Sequence, residues 1–144
     1  MKHECQYDEE RLGTILSDIR TYIQDLADLH IQTIDDVQDK RTFYAGSMIL
    51  FSLLNRVFDL GSEIAIANNL GIPGTYREIF LVLERNGVID PALARSMVNL
   101  VTYRNLLSHE YQGITTAKLF TLTTRTGTIE EFVRMMQKKI SDQH

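Results

Sequence analysis

RTFYAGSMILFSLLNRVFDLGSEIAIANN, residues 41 to 69, decides the fold. Phe43, Leu50, Leu54, Val57 and Ile64 fall on one helical stripe, and Tyr44, Met48, Phe51 and Phe58 fall on another. A helix with two apolar stripes has to bury two faces. It is either the central helix of a bundle or part of a subunit interface. Gly46, Ser47, Gly61 and Ser62 lie inside the same segment. Small residues weaken a helix but let a neighbour come close.

Working outward, the segment before it also reads as a helix. Leu12, Ile15, Leu16, Ile19, Ile23, Leu26 and His30 recur at spacings of three and four. Asp35, Asp36 and Asp39 then break the pattern and offer N-caps for the long helix. Beyond it, Gly71-Ile72-Pro73-Gly74 is a loop, and Thr75 to Glu78 reads as a capping box for a short third helix. Asn86-Gly87 ends that helix, and Asp90-Pro91 starts a fourth that runs to about Leu107. A fifth segment starts near Thr115, with an interruption expected at Thr126-Gly127 and a fresh capping box from Thr128 to Glu131. Leu119 to Thr126 is the best strand candidate, but helical neighbours outweigh it. The expectation is all-α: an up-and-down bundle of about five helices, with residues 1–144 as a single domain.

Composition narrows the function classes. The chain has 144 residues, 44% of them hydrophobic, with 2 prolines and 8 glycines, which suits one helical domain. One cysteine excludes a disulfide framework and a Cys-rich zinc module. A net charge of −4 argues against coating nucleic acid by bulk charge, but leaves room for a small basic site. The polar start MKHECQYDEERLG has no apolar core of signal-peptide length, and the longest apolar-rich run, Met48 to Leu54, is too short to span a bilayer. A cytoplasmic protein with no membrane contact is expected.

The fourth helix carries an anomaly. Leu93, Met97, Leu100 and Leu107 form its apolar stripe, and Arg104 falls in the middle of it. An arginine on a core-facing line needs a carboxylate or carbonyl, or else that stretch opens onto a cleft or a second subunit. By itself this reads as a structural or snorkelling arginine. The residues that follow change the weighing: Tyr103-Arg104-Asn105-Leu106-Leu107-Ser108-His109-Glu110-Tyr111-Gln112-Gly113. On an unbroken helix Arg104 and His109 would point ~140° apart. They converge only if the helix ends between them or if two chains bring their copies together. If the chain is extended after Ser108, His109 and Tyr111 project to the same side.

This segment matches the R-N-x-x-x-H-x-Y motif, and the chain resembles the HEPN superfamily in its HepT-like branch. The likeness runs from about residue 10 to 140. It includes the long second helix, the loop at Leu70 to Pro73, the capping box at Thr75 and the entry NGVIDP at Asn86 to Pro91. The resemblance implies a small all-α homodimer, often encoded beside a minimal nucleotidyltransferase as toxin and antitoxin. It implies a metal-independent ribonuclease with no cofactor, in which Arg104 and His109 are catalytic and Asn105 supports them. A histidine titrates near neutrality and can move the 2′-hydroxyl or leaving-group proton. A guanidinium grips phosphate with two parallel hydrogen bonds. The resemblance further implies that Tyr111, the motif tyrosine, is modified with AMP by a partner nucleotidyltransferase, which would block RNA by bulk and charge.

One position departs from the family. A glutamate often stands on the second helix where this chain has Asn55; the acidic position one turn later is Asp59. Asp59 is therefore the expected salt-bridge partner of Arg104. His3, His30 and His144 show no metal-ligand spacing, and Asp35, Asp36 and Asp39 lack the pattern of a calcium loop. The competing functions are a non-catalytic nucleotide-binding or regulatory subunit of a nucleotidyltransferase, and a helical interaction protein with a degenerate site.

Overall fold

The computed structural model describes residues 6–108 and 113–142. These form six α-helices and one short 3-10 turn: α1 (Glu9–Asp28), the turn (Ile34–Val37), α2 (Lys40–Ala67), α3 (Tyr76–Arg85), α4 (Pro91–Ser108), α5 (Thr116–Thr123) and α6 (Thr126–Ser141). The helix α2 packs against every other helix and is the centre of the bundle. Its first stripe goes into the core, where Leu50, Leu54, Val57 and Ile64 are fully buried. Its second stripe divides. Phe58 is buried, Phe51 is half-buried, and Tyr44 and Met48 remain 68% and 73% exposed.

Side chains at the helix ends set the boundaries. The Asp39 carboxylate accepts from the Thr42 backbone N–H at 3.0 Å and caps α2. Thr75 Oγ1 accepts from the Glu78 N–H, while Glu78 Oε2 accepts from the Gly74 N–H, one residue earlier than the usual reciprocal bond of a capping box. Asp90 Oδ1 accepts from the Leu93 N–H at 2.7 Å and starts α4. After α3, Gly87 takes φ 72° and Val88 N–H reaches back to the Leu83 carbonyl, the closure that a left-handed residue makes possible.

Two boundaries differ from the periodic pattern. The helix α1 stops at Asp28, and His30 is exposed with φ 52°, so it terminates the helix instead of continuing its face. The fifth segment is two helices, divided at Thr124-Arg125 and not at Thr126-Gly127. The Thr123 and Thr124 hydroxyls donate to the carbonyls of Phe120 and Thr121. Such local bonds compete with helix propagation, and Thr128 sits inside α6 instead of capping it.

The third helix seats on α2 because Gly61 has no side chain. A Cβ there would lie 2.7 Å from Ile79 Cγ2 and 3.2 Å from Phe132 Cζ. The close approach stacks three buried rings edge to face: Phe58 on Phe80 at 5.5 Å and Phe80 on Phe132 at 5.4 Å between centroids. Edge-to-face pairs add about 0.5–1.5 kcal/mol each beyond the area they bury. Gly61→Ala should therefore destabilise the fold. Overpacking costs about 1–3 kcal/mol, offset by up to about 1 kcal/mol of helix propensity, and urea unfolding reads the difference.

Acid should loosen the α1–α2 connection. The Asp39 carboxyl is held below its ordinary value first by the Thr42 backbone N–H and then by the Thr42 hydroxyl. Asp36 is lowered by the backbone N–H groups of Thr33 and Gln32. A depressed folded-state value stabilises the protein fully above the unfolded aspartate value, about 3.9, and this contribution is lost as pH falls through the folded value. The urea midpoint should fall between pH 5 and pH 2. In Asp36→Asn/Asp39→Asn it should fall less over the same window.

Candidate functional site

Arg104 lies one turn before the last described residue of α4 and turns toward α2. Its Nε donates to Oδ1 of Asn55 at 3.0 Å. Its guanidinium carbon sits 5.2 Å from the ring centre of Phe51 and 4.9 Å from that of Tyr76. Three elements thus fix one cation: α4 supplies it, α2 supplies an acceptor and a ring, and the first residue of α3 supplies a second ring. Phe51 and Asn55 are one turn apart on α2, so both meet the same side chain. Cation–π contacts of this kind are worth about 0.5–1 kcal/mol each where solvent reaches them.

The expected bridge between Asp59 and Arg104 does not form. Asp59 Oδ2 is 3.2 Å from Arg56 Nη1, and Arg56 Nε is 2.9 Å from Asp18 Oδ2 on α1. A second bridge, Arg11 to Glu63 at 2.7 Å, also joins α1 and α2. Asp59 and Asn55 share a face of α2, and Arg104 meets the earlier of the two. The acid is taken by the arginine three residues before it on the same helix. Arg104 consequently has a neutral acceptor and no carboxylate partner among the described residues.

Tyr76 connects this cation to the core. Its ring is 5.0 Å from Phe58, the first of the three stacked phenylalanines. A cleft of about 440 Å³ opens beside it, with Asp59, Ser62 and Thr75 on its walls. Of the sequence candidates, Arg104 and Asp59 thus lie on neighbouring parts of one surface, and Asn105 is exposed beside Arg104 on α4. His109 and Tyr111 lie outside the described residues. Among the described residues, no three His, Cys, Asp or Glu side chains gather as a metal site, and no helix is long and apolar enough to cross a membrane.

Sequence reasoning did not assign Phe51 or Tyr76 to the site, and read Asn55 only as a departure. Phe51 appeared as part of an apolar stripe, and Tyr76 as the interior of a capping box. The available signal was the Phe51–Asn55 spacing, which puts an aromatic and an acceptor on the face that an arginine from a neighbouring helix could reach.

Comparison with known proteins agrees with this architecture. The mRNA nuclease HepT of Shewanella oneidensis is 28% identical over 83 residues, 56% of this chain and 62% of that one. The chain therefore aligns with less than two thirds of that relative's length. A tri-AMPylated Shewanella oneidensis HEPN toxin in complex with MNT antitoxin superposes with a TM-score of 0.80 at 20% identity, covering 88% of this chain and 96% of that one. The cytosolic protein YutE of Bacillus subtilis, of unknown function, superposes at 0.79 and 20% identity, covering 94% and 92%. These structural likenesses establish the shared helical fold. The profile described as "Ribonuclease HepT-like" matches residues 19–137, most of the chain, and the protein belongs to that family.

Proposed function

We propose that this protein is a HepT-like toxin, a metal-independent endoribonuclease that acts as a homodimer and is silenced when a cognate nucleotidyltransferase attaches AMP to Tyr111. The observation that carries the reading is Arg104: a guanidinium fixed by Asn55, Phe51 and Tyr76, with no carboxylate among the described residues to cancel it. The family membership and the name of the Shewanella nuclease support it.

The chemistry follows from the residue types. His109 of one protomer takes the proton from a ribose 2′-hydroxyl, and the 2′-oxygen attacks the adjacent phosphorus. Arg104 binds the non-bridging oxygens and stabilises the charge that builds there. The bond to the 5′-oxygen breaks, and that oxygen leaves with a proton from a second imidazole, His109 of the other protomer. The products are a 2′,3′-cyclic phosphate and a 5′-hydroxyl. Asn105, exposed at the same end of α4, is suited to orient the histidine, and Asp59 to border the substrate cleft. In the silencing step the Tyr111 hydroxyl attacks the α-phosphorus of ATP, and pyrophosphate leaves. The modified tyrosine then holds a phosphate and a nucleoside where RNA would bind. A complex of HEPN toxin with MNT antitoxin in which the toxin is tri-AMPylated supports this part of the reading. The reading puts the protein in the cytoplasm, with RNA and ATP.

The dimer has a surface to match. Tyr44, Met48, Phe51 and Asn55 lie within about 60° of one another around α2. The first two are the exposed end of that stripe and the last two hold Arg104. A second copy seated on Tyr44 and Met48 would therefore border the Arg104 site. Met48→Lys should shift the sedimentation coefficient from dimer to monomer; a dimer that survives it sinks this interface.

Cleavage of RNA in the presence of EDTA should fall by about a hundredfold or more in Arg104→Ala and in His109→Ala, with sedimentation and helical circular dichroism unchanged. Arg104→Ala also loses the contacts to Asn55, Phe51 and Tyr76 and should melt a few degrees lower. Wild-type protein that binds ATP but leaves RNA intact would favour the nucleotide-binding regulatory subunit. Co-expression with a minimal nucleotidyltransferase should add AMP to the intact mass. The added mass should vanish in Tyr111→Phe.

A further inference from the structure

The Arg104–Asn55 contact has a property that an acidic partner would not give. An amide oxygen fixes the direction of Nε–H as a carboxylate would, but it carries no net charge. The nearby acid, Asp59, is engaged by Arg56, which Asp18 also holds. Phe51 and Tyr76 contact the guanidinium through their rings, which restrict its tilt without neutralising it. Among the described residues, nothing accepts from its two terminal nitrogens. These nitrogens present paired donors, the geometry that matches two oxygens of one phosphate.

We propose that Asn55 is a positioning residue that aims Arg104 at a phosphate group while leaving the positive charge of the site whole. The inference rests on the reading of Arg104 as the phosphate-binding group of a nuclease, and it adds the reason for an amide at this position in a chain of net charge −4. A carboxylate here would orient the arginine equally well and would repel the phosphate. The ligand class is a phosphate monoester or diester, bound by charge and by a two-pronged hydrogen bond.

The test uses the full-length protein and three variants. In Asn55→Asp the acceptor is kept and a charge is added. In Asn55→Leu the acceptor is removed at similar volume. Arg104→Ala is the control. Inorganic phosphate is titrated while arginine Nε–H signals are followed by NMR. The wild type should show one protected Nε–H that responds to phosphate and is absent in Arg104→Ala. In Asn55→Asp this signal should stay protected while phosphate affinity drops by about tenfold, the scale of one added charge near a surface site. In Asn55→Leu the protection should be lost. Where RNA cleavage is measurable, Asn55→Asp should raise KM and flatten the salt dependence, and Asn55→Leu should lower kcat. Asn55→Asp binding phosphate as tightly as the wild type, or Asn55→Leu keeping the protected signal, overturns the proposal. A wild type that binds phosphate as described yet cleaves no RNA overturns the nuclease reading and leaves the role of Asn55 standing.

Discussion

The missing side chain at Gly61 is the constraint on which the site depends. Without a Cβ there, α3 comes close enough for Ile79 to rest on the backbone of α2. Tyr76 is three residues before Ile79 on the same helix, so the depth of that contact fixes where its ring lies. The ring then meets Phe58 on the core side and Arg104 on the outer side. A spacing set by backbone packing thus becomes the position of a cation.

Charge is distributed to the same effect. The fold has more acids than bases, yet two of its arginines are used to join α1 to α2: Arg11 to Glu63, and Arg56 to Asp18. Exposed bridges of this kind contribute little to stability, about 0–1 kcal/mol each. They do keep the carboxylates of α2 occupied. Asp59 is the acid on the face shared with Asn55, and its engagement by Arg56 leaves Arg104 with the amide alone.

Much of this was legible in the sequence, and the exceptions have a common cause. The two stripes of α2 limited it to a central helix or a subunit interface, and Asp39, Thr75 and Asp90 marked three helix starts, because both signals are local. The anomaly of Arg104 was visible from periodicity on α4 alone. Periodicity identifies a face but not the turn of a neighbouring helix opposite it, so it could not choose between Asn55 and Asp59. Formal charge favoured the aspartate; the helix register selected the amide. The role of Tyr76 was hidden because it depends on how deeply α3 seats, a property of Gly61 and Ile79 together. The break at Thr124-Arg125 was displaced by two residues because hydroxyl bonds to preceding carbonyls end a helix without a glycine.

The rings from Tyr76 through Phe58 and Phe80 to Phe132 form an unbroken path from the site to the centre of the bundle. Loosely held catalytic groups commonly sit on segments that open by themselves, at little cost to the rest of the molecule. Here the outermost ring cannot leave Arg104 without disturbing a stack whose other members belong to α2, α3 and α6. Displacing the Tyr76 ring therefore costs packing in the core as well as at the surface, so the seat of Arg104 and the contacts among α2, α3 and α6 are energetically coupled.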